Sequence, residues 1–174
     1  MGECRMKAIG LYLHFPFCIQ KCRYCDFPSY AGLESRMVPY LEALYREMES
    51  YQETEKEYEI GTIFMGGGTP TLYDGDSLVR VLDKCRECFP VREDAEITVE
   101  CNPGTAGREK LCILGKRGFN RLSIGLQAFS HPAGGNAGLD GASGRIRRNN
   151  PQQYADAVWD RSESRNQQCR QWYG

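Results

Sequence analysis

Four short apolar runs, separated by amphipathic stretches and special loops, set the tightest limit on what this chain can fold into. Lys7 to His14 reads as a buried parallel strand, with Ile9, Leu11 and Leu13 on one side and Tyr12 and His14 on the other. Ile60 to Met65 is a second run. Ala95 to Cys101 is a third, in which Ile97 and Val99 share a face and Glu100 points away, and Asn120 to Leu126 is a fourth. Between the first two, Met37, Leu41, Leu44 and Met48 recur at helical spacing, with Glu42, Arg46, Glu47 and Glu49 off that stripe. Ser35 is read as the cap of this helix, and Pro39 falls in its first turn, where no intrahelical N–H is needed. Tyr51 to Tyr58 is polar and reads as a loop. Leu78, Val79, Leu82, Cys85 and Phe89 make a second helix stopped at Pro90; Thr105 is read as the cap of a third, running through Leu111 and Leu114 and closed by Gly118. Four βα units without the last helix predict an α/β fold: a parallel sheet with right-handed crossovers, open or curled into a barrel.

The loop after the first run carries Cys18, Cys22 and Cys25 at C-x3-C-x2-C. Such gaps let a loop turn its thiolates toward one soft metal centre, and thiolates select zinc, copper(I) or iron–sulfur clusters. A four-iron cluster normally takes four cysteines, so three leave one iron open to a small ligand. A closed zinc site also wants four ligands, with His14 or Cys4 nearby as the fourth. The segment is too polar for three buried hydrophobes, because Lys21, Arg23 and Asp26 interleave with the cysteines.

The other notable segments fall at equivalent places. Gly66-Gly67-Gly68-Thr69-Pro70 follows the second run, Glu100 ends the third and Gln127 follows the fourth. Parallel α/β architectures bind ligands at the carboxyl ends of their strands. A glycine turn lets backbone N–H groups approach a ligand closely, though one alone is as often structural. This one is neither a P-loop nor G-x-G-x-x-G, since Thr71 stands at the last glycine position. A lone Glu at a strand end is usually a solvated carboxylate. Cys85-x2-Cys88 sits mid-helix without a second pair and reads as structural thiols, like Cys101 and Cys112.

C-x3-C-x2-C with Tyr24 before the third cysteine resembles the radical S-adenosylmethionine (SAM) enzymes, and the lead-in Tyr12-x-His14-x-Pro16-Phe17-Cys18 resembles their oxygen-independent coproporphyrinogen oxidase-like branch. Coproporphyrinogen dehydrogenases of that branch carry a further cysteine where this chain has Phe27, and Cys25-Asp26-Phe27 is closer to the haem-chaperone relatives. The resemblance runs from about Lys7 to Phe129. It implies a partial (β/α) barrel, a [4Fe-4S] cluster on Cys18, Cys22 and Cys25, and SAM on the open iron. One electron from the reduced cluster would cleave the sulfonium to a 5′-deoxyadenosyl radical. It also implies SAM contacts from Tyr12, Tyr24, Gly67, Gly68, Thr69, Glu100 (in a Glu-x-Asn-Pro match) and Gln127 (in a Ser-x-Gly-x-Gln match). Partners implied are haem or a porphyrinogen, with an electron donor. Haem chaperoning and porphyrinogen oxidation both stay open, as does a zinc-stabilised binding module on the same cysteines.

Composition narrows the classes. A net charge of −1 offers no footprint for nucleic acid or an anionic membrane. No apolar run nears the roughly eighteen residues of a span, and Ile9 to Phe17 is too short for a signal peptide. Nine cysteines without an even disulfide framework suit a reducing cytoplasm. After Phe129 the usage changes: Leu139, Ile146 and Val158 are the only aliphatic residues larger than Ala, while Arg, Gln, Asn and Gly crowd the rest. Residues 130–174 are therefore expected to be a disordered tail, with the character of translation in a wrong reading frame. Residues 1–129 supply about four units at roughly 31 residues each, fewer than the six of the family's partial barrel. The expectation is an uncovered, aggregation-prone fourth strand and no SAM cleavage by the chain alone.

Overall fold

The computed structural model describes residues 6–23, 25–52, 58–102 and 104–125. Four strands, β1 (Lys7–Phe15), β2 (Tyr58–Gly67), β3 (Val91–Cys101) and β4 (Arg121–Ile124), form one sheet in the order β1-β2-β3-β4. Every neighbouring pair is parallel. Helices α1 (Met37–Tyr51), α2 (Gly75–Cys88) and α3 (Arg108–Lys116) make the crossovers. The strand order never reverses, and parallel crossovers share one hand, so the three helices fall on a single face. Accordingly α1 packs on α2 and α2 on α3. This is the arrangement of a barrel segment rather than of a doubly wound sheet, whose order reverses at a switch point.

The period of two divides the sheet's faces. Leu13, Phe15, Ile63, Met65, Ile97, Val99 and Leu122 are buried on the helix side. They meet Leu41, Leu44 and Met48 of α1, Leu78, Val81, Leu82 and Cys85 of α2, and Leu111 and Leu114 of α3 in one core. Each fully buried side chain of this size contributes roughly 2 kcal/mol by area. The alternate positions, Tyr12, His14, Thr62, Phe64, Glu96, Glu100, Arg121 and Ser123, make a polar opposite face.

Several boundaries differ from the sequence reading for identifiable reasons. β3 starts at Val91 rather than Ala95: Ile60 pairs with Val91, and Arg92 ties this charged entry to Glu59 at 3.5 Å and Asp94 at 2.8 Å. Ser35 does not cap α1. It lies in a 3-10 turn, Glu34–Arg36, that leads into the helix, and Arg36 stands at the N-cap without a side-chain bond. Nor does Thr105 cap α3, whose N-cap is Gly107; the Thr105 hydroxyl donates instead to the Asn102 carbonyl at 2.9 Å. Gly118 closes α3 as expected. At φ +108 it lets its own N–H reach Gly115 O and the Phe119 N–H reach Leu114 O, while Phe119 is buried. Leu126 and residues 130–174 lie outside the described residues.

The cap of α2 is Asp74, which the hydrophobic pattern does not mark. Its carboxylate accepts the Ser77 N–H at 2.7 Å and the Ser77 hydroxyl at 2.8 Å. Burial pushes this carboxyl up, but the bonds from Ser77 and the charge of Arg80 outweigh it and hold the pKa below the usual value. A depressed carboxyl pKa contributes stability that is present above the unfolded value of about 3.9 and is lost as pH falls through the folded value. Asp74→Ala should therefore lower stability by about 1 kcal/mol at neutral pH. The difference from wild type should shrink on acid titration, as read by urea melts at several pH values.

Candidate functional site

The cysteine loop leaves β1 at Phe15 and is pinned at its neck. The Tyr30 N–H donates to Pro16 O at 2.7 Å and the Cys18 N–H to Tyr30 O at 2.9 Å, with Phe17 and Tyr30 forming an isolated parallel bridge. Within the loop the Cys25 N–H donates to Cys22 O at 3.1 Å, folding those two cysteines onto one turn. Lys21 Nζ donates to the Phe27 carbonyl and, at 3.2 Å, to the Ser29 hydroxyl, and so braces the returning strand. Cys18, Cys22 and Cys25 are free and half-buried. Among the described residues no three His, Cys, Asp or Glu side chains converge tightly enough to hold a metal ion.

His14 latches the loop to the sheet. The Pro28 carbonyl can only accept, so His14 Nε2–H donates to it at 2.8 Å. In the neutral ring Nδ1 is then an acceptor, and Tyr12 OH donates to it at 3.2 Å. Burial, reinforced by the charge of Glu100, pushes the Tyr12 phenol up and keeps that proton in place. Both ring nitrogens being engaged, His14 could become a fourth zinc ligand only by giving up one of these bonds. Cys4, the other candidate, lies outside the described residues.

The glycine turn is held by contacts within the chain. Its N–H groups are taken by protein acceptors: Gly67 N–H donates to Glu100 Oε2 at 3.0 Å, Gly68 N–H to Phe15 O at 2.8 Å and Thr69 N–H to Phe17 O at 2.7 Å. These three donors therefore have partners within the chain. The need for glycine is met within the chain as well. Gly67 has φ +111, and a Cβ there would run into the His14 imidazole. A Cβ on Gly68 would lie 2.5 Å from Phe17 O and 2.7 Å from Phe15 O. The turn therefore clamps the end of β2 to the base of the cysteine loop.

Parallel register brings the other segments to the same edge. His14 is opposite Gly66, Phe15 opposite Gly67, and Glu100 opposite Ser123. Glu100 reaches back to Gly67, and Tyr12 stacks on Phe64 at 6.0 Å while remaining 53% exposed. Thr69 is buried; its hydroxyl donates to Cys18 Sγ at 3.7 Å and accepts from Asn102 Nδ2 at 3.1 Å. Neither of these last contacts could be found from sequence, because they join loops 51 and 33 residues apart. Tyr12, Cys18, Cys22, Cys25, Gly67, Gly68, Thr69 and Glu100 thus lie at or beside one end of the sheet. Tyr24 and Gln127 lie outside the described residues. Cys85 and Cys88 are buried on α2, with Cys85 Sγ 3.6 Å from Met48 Sδ. Burial pushes the Cys85 thiol up to about 12, which suits an inert core residue.

The same end of the sheet, with its cysteine loop, can be set beside known proteins. The radical SAM superfamily model matches residues 12–160, so its match reaches past Phe129, where the motif-by-motif resemblance ends. Heme chaperone HemW from Escherichia coli (strain K12) is 41% identical over 129 residues, covering 72% of this chain and 34% of the relative. HemW from Bacillus subtilis (strain 168) is 40% identical over 119 residues, covering 68% and 31%. The chain spans about a third of the length of these curated relatives. The solved structure of coproporphyrinogen III oxidase (HemN) from Escherichia coli, a radical SAM enzyme, superposes with a TM-score of 0.67 at 31% identity, covering 73% of this chain and 29% of that one. With the family model spanning most of its length, and the parallel sheet carrying the cysteine loop at the end of its first strand, this chain belongs to the radical SAM superfamily.

Proposed function

We propose that Cys18, Cys22 and Cys25 hold a [4Fe-4S] cluster with one open iron, and that SAM binds there against Tyr12, Tyr24, Gly67, Gly68, Thr69, Glu100 and Gln127. The observation that carries this reading is the donor set: three disulfide-free, half-buried thiols on one loop, adjoining Glu100 and the glycine turn at one end of the sheet. Thiolate sulfur is what iron–sulfur clusters require. The chemistry supplied by the bound cofactors is one-electron cleavage of the SAM sulfonium. The chain's own residues do the positioning. His14 and Lys21 hold the loop's return, the glycine turn fixes its base, and Glu100 places a carboxylate beside Tyr12 where ribose hydroxyls can donate.

Downstream, handing on haem is favoured over oxidising a porphyrinogen side chain. Phe27 stands where the oxidising branch carries a further cysteine, and it is 61% exposed beside the loop. The curated relatives quoted are named as heme chaperones. The reducing cytoplasm is the proposed location, supported by seven free cysteines among the described residues. No helix among those residues is long and apolar enough to cross a membrane.

Anaerobic reconstitution tests the reading. The expected product is brown, with about four iron and four sulfide per chain. It should bind SAM by calorimetry, and Glu100→Ala should weaken that binding at least about tenfold. A colourless protein that takes up zinc but no sulfide would overturn it.

A further inference from the structure

Resting on that reading of the three cysteines, we infer that Thr69 and Asn102 form a hydrogen-bond relay to Cys18 that positions its sulfur and sets how readily the bound cluster accepts an electron. Thr69 is 3% exposed, so its hydroxyl must find its partners inside the protein. It has one proton to give and gives it to Cys18 Sγ at 3.7 Å, within reach for a sulfur acceptor. Its lone pair accepts from Asn102 Nδ2 at 3.1 Å, which fixes the rotor in that direction. Without the amide the hydroxyl could swing away from the sulfur.

Asn102 is itself held from behind. Its backbone carbonyl accepts the Thr105 N–H and the Thr105 hydroxyl, each at 2.9 Å. Thr105 Oγ1 lies 2.6 Å from Thr71 Oγ1, and Thr71 is fully buried. With the Thr105 proton spent on Asn102, the Thr71 hydroxyl donates to Thr105. Thr71 and Thr105 thus fix the Asn102 backbone from which the side-chain amide reaches Thr69, and the contacts join the loops after β1, β2 and β3. The continuous donor chain is Asn102 Nδ2 to Thr69 Oγ1 to Cys18 Sγ, in which the first bond polarises the hydroxyl and strengthens the last.

The direction of the effect follows from charge. A cluster gains negative charge on reduction, part of it on its thiolate sulfurs. A donor aimed at one sulfur stabilises the reduced form more than the oxidised one, and hydrogen bonds to sulfur are among the determinants of cluster potential. Thr69 and Asn102 are positioning residues acting through Cys18; none of the three changes its covalent partners in this role.

The test is a potentiometric titration of the reconstituted full chain, followed by the electron paramagnetic resonance of the reduced cluster, with iron and sulfide counted in each sample. Thr69→Val keeps the shape and removes the proton. The reduced-to-oxidised ratio at a fixed potential should fall about tenfold, which is about 59 mV for one electron. Thr69→Ser should restore the wild-type ratio, and Asn102→Ala should shift it the same way by a smaller factor. Loaded Thr69→Val with an unchanged ratio overturns the relay and leaves the cysteine assignment standing. Should Thr69→Val fail to fold or load, Asn102→Ala decides, and no shift there overturns the relay as well. Wild-type chain that takes up no iron and sulfide overturns the cysteine assignment, and the relay falls with it.

Discussion

Gly68→Ala is expected to destabilise the protein by about 3 kcal/mol or more, a fall in melting temperature on the order of 10 °C. Gly68 does not have positive φ, so alanine meets no conformational barrier there. The obstacle is steric. The new methyl would lie 2.5 Å from Phe17 O and 2.7 Å from Phe15 O. Both are backbone atoms, and both are locked by bonds from the same turn, Gly68 N–H to Phe15 O and Thr69 N–H to Phe17 O. Relief requires breaking the clamp that joins β2 to the cysteine loop. Gly61→Ala is the matched control, on the strand that leads into the turn, where the nearest atom to a Cβ is Ala8 Cβ at an ordinary 3.6 Å. It should change stability by less than about 0.5 kcal/mol. Equal melting curves for the two variants would show that the turn yields, and that its glycines are present for a reason other than this packing.

How much of this was legible in the sequence depended on the reach of each signal. Strand faces were legible because alternation is local: Ile97 and Val99 inward, Glu100 outward, as the sheet has them. The α1 stripe of Leu41, Leu44 and Met48 was legible for the same reason. The start of β3 was not, because Arg92, Glu93 and Asp94 look like a loop until Glu59 on the neighbouring strand supplies a partner for Arg92. Thr105 shows the limit of cap rules. Its hydroxyl had a choice of acceptors, and the backbone carbonyl of Asn102, which lies before the N-cap Gly107, took it. The glycine turn was legible as a special segment but its partners were not, since Phe15 O, Phe17 O and Glu100 belong to β1, the cysteine loop and β3. In the candidate site, residue identity came from motif spacing, whereas the roles of His14, Lys21 and Asn102 came only from side-chain contacts in the folded chain.

Replacing Cys22 by serine should abolish iron and sulfide uptake, whereas replacing Cys85 and Cys88 together by alanine should leave it intact. The contrast is chemical. Serine is close in size to cysteine but gives a hard hydroxyl of high pKa in place of a soft thiolate, and iron–sulfur clusters select thiolate. A loop with three candidate sulfurs has none to spare, so loss of one leaves too few ligands. Cys85 and Cys88 have the C-x2-C spacing of a metal or redox pair, yet both are buried and sit on the core side of α2. Burial pushes Cys85 up to about 12, so it offers almost no thiolate at neutral pH. Alanine is the appropriate replacement there, because a serine at fully buried Cys85 would carry an unpaired hydroxyl into a site now facing Met48. The double alanine variant should lose some stability to the cavities it leaves, on the order of 1–2 kcal/mol, and still turn brown on reconstitution. A Cys22→Ser protein with a full complement of iron and sulfide, or a double alanine variant that stays colourless although folded, would move the cluster from the loop after β1 to the helix.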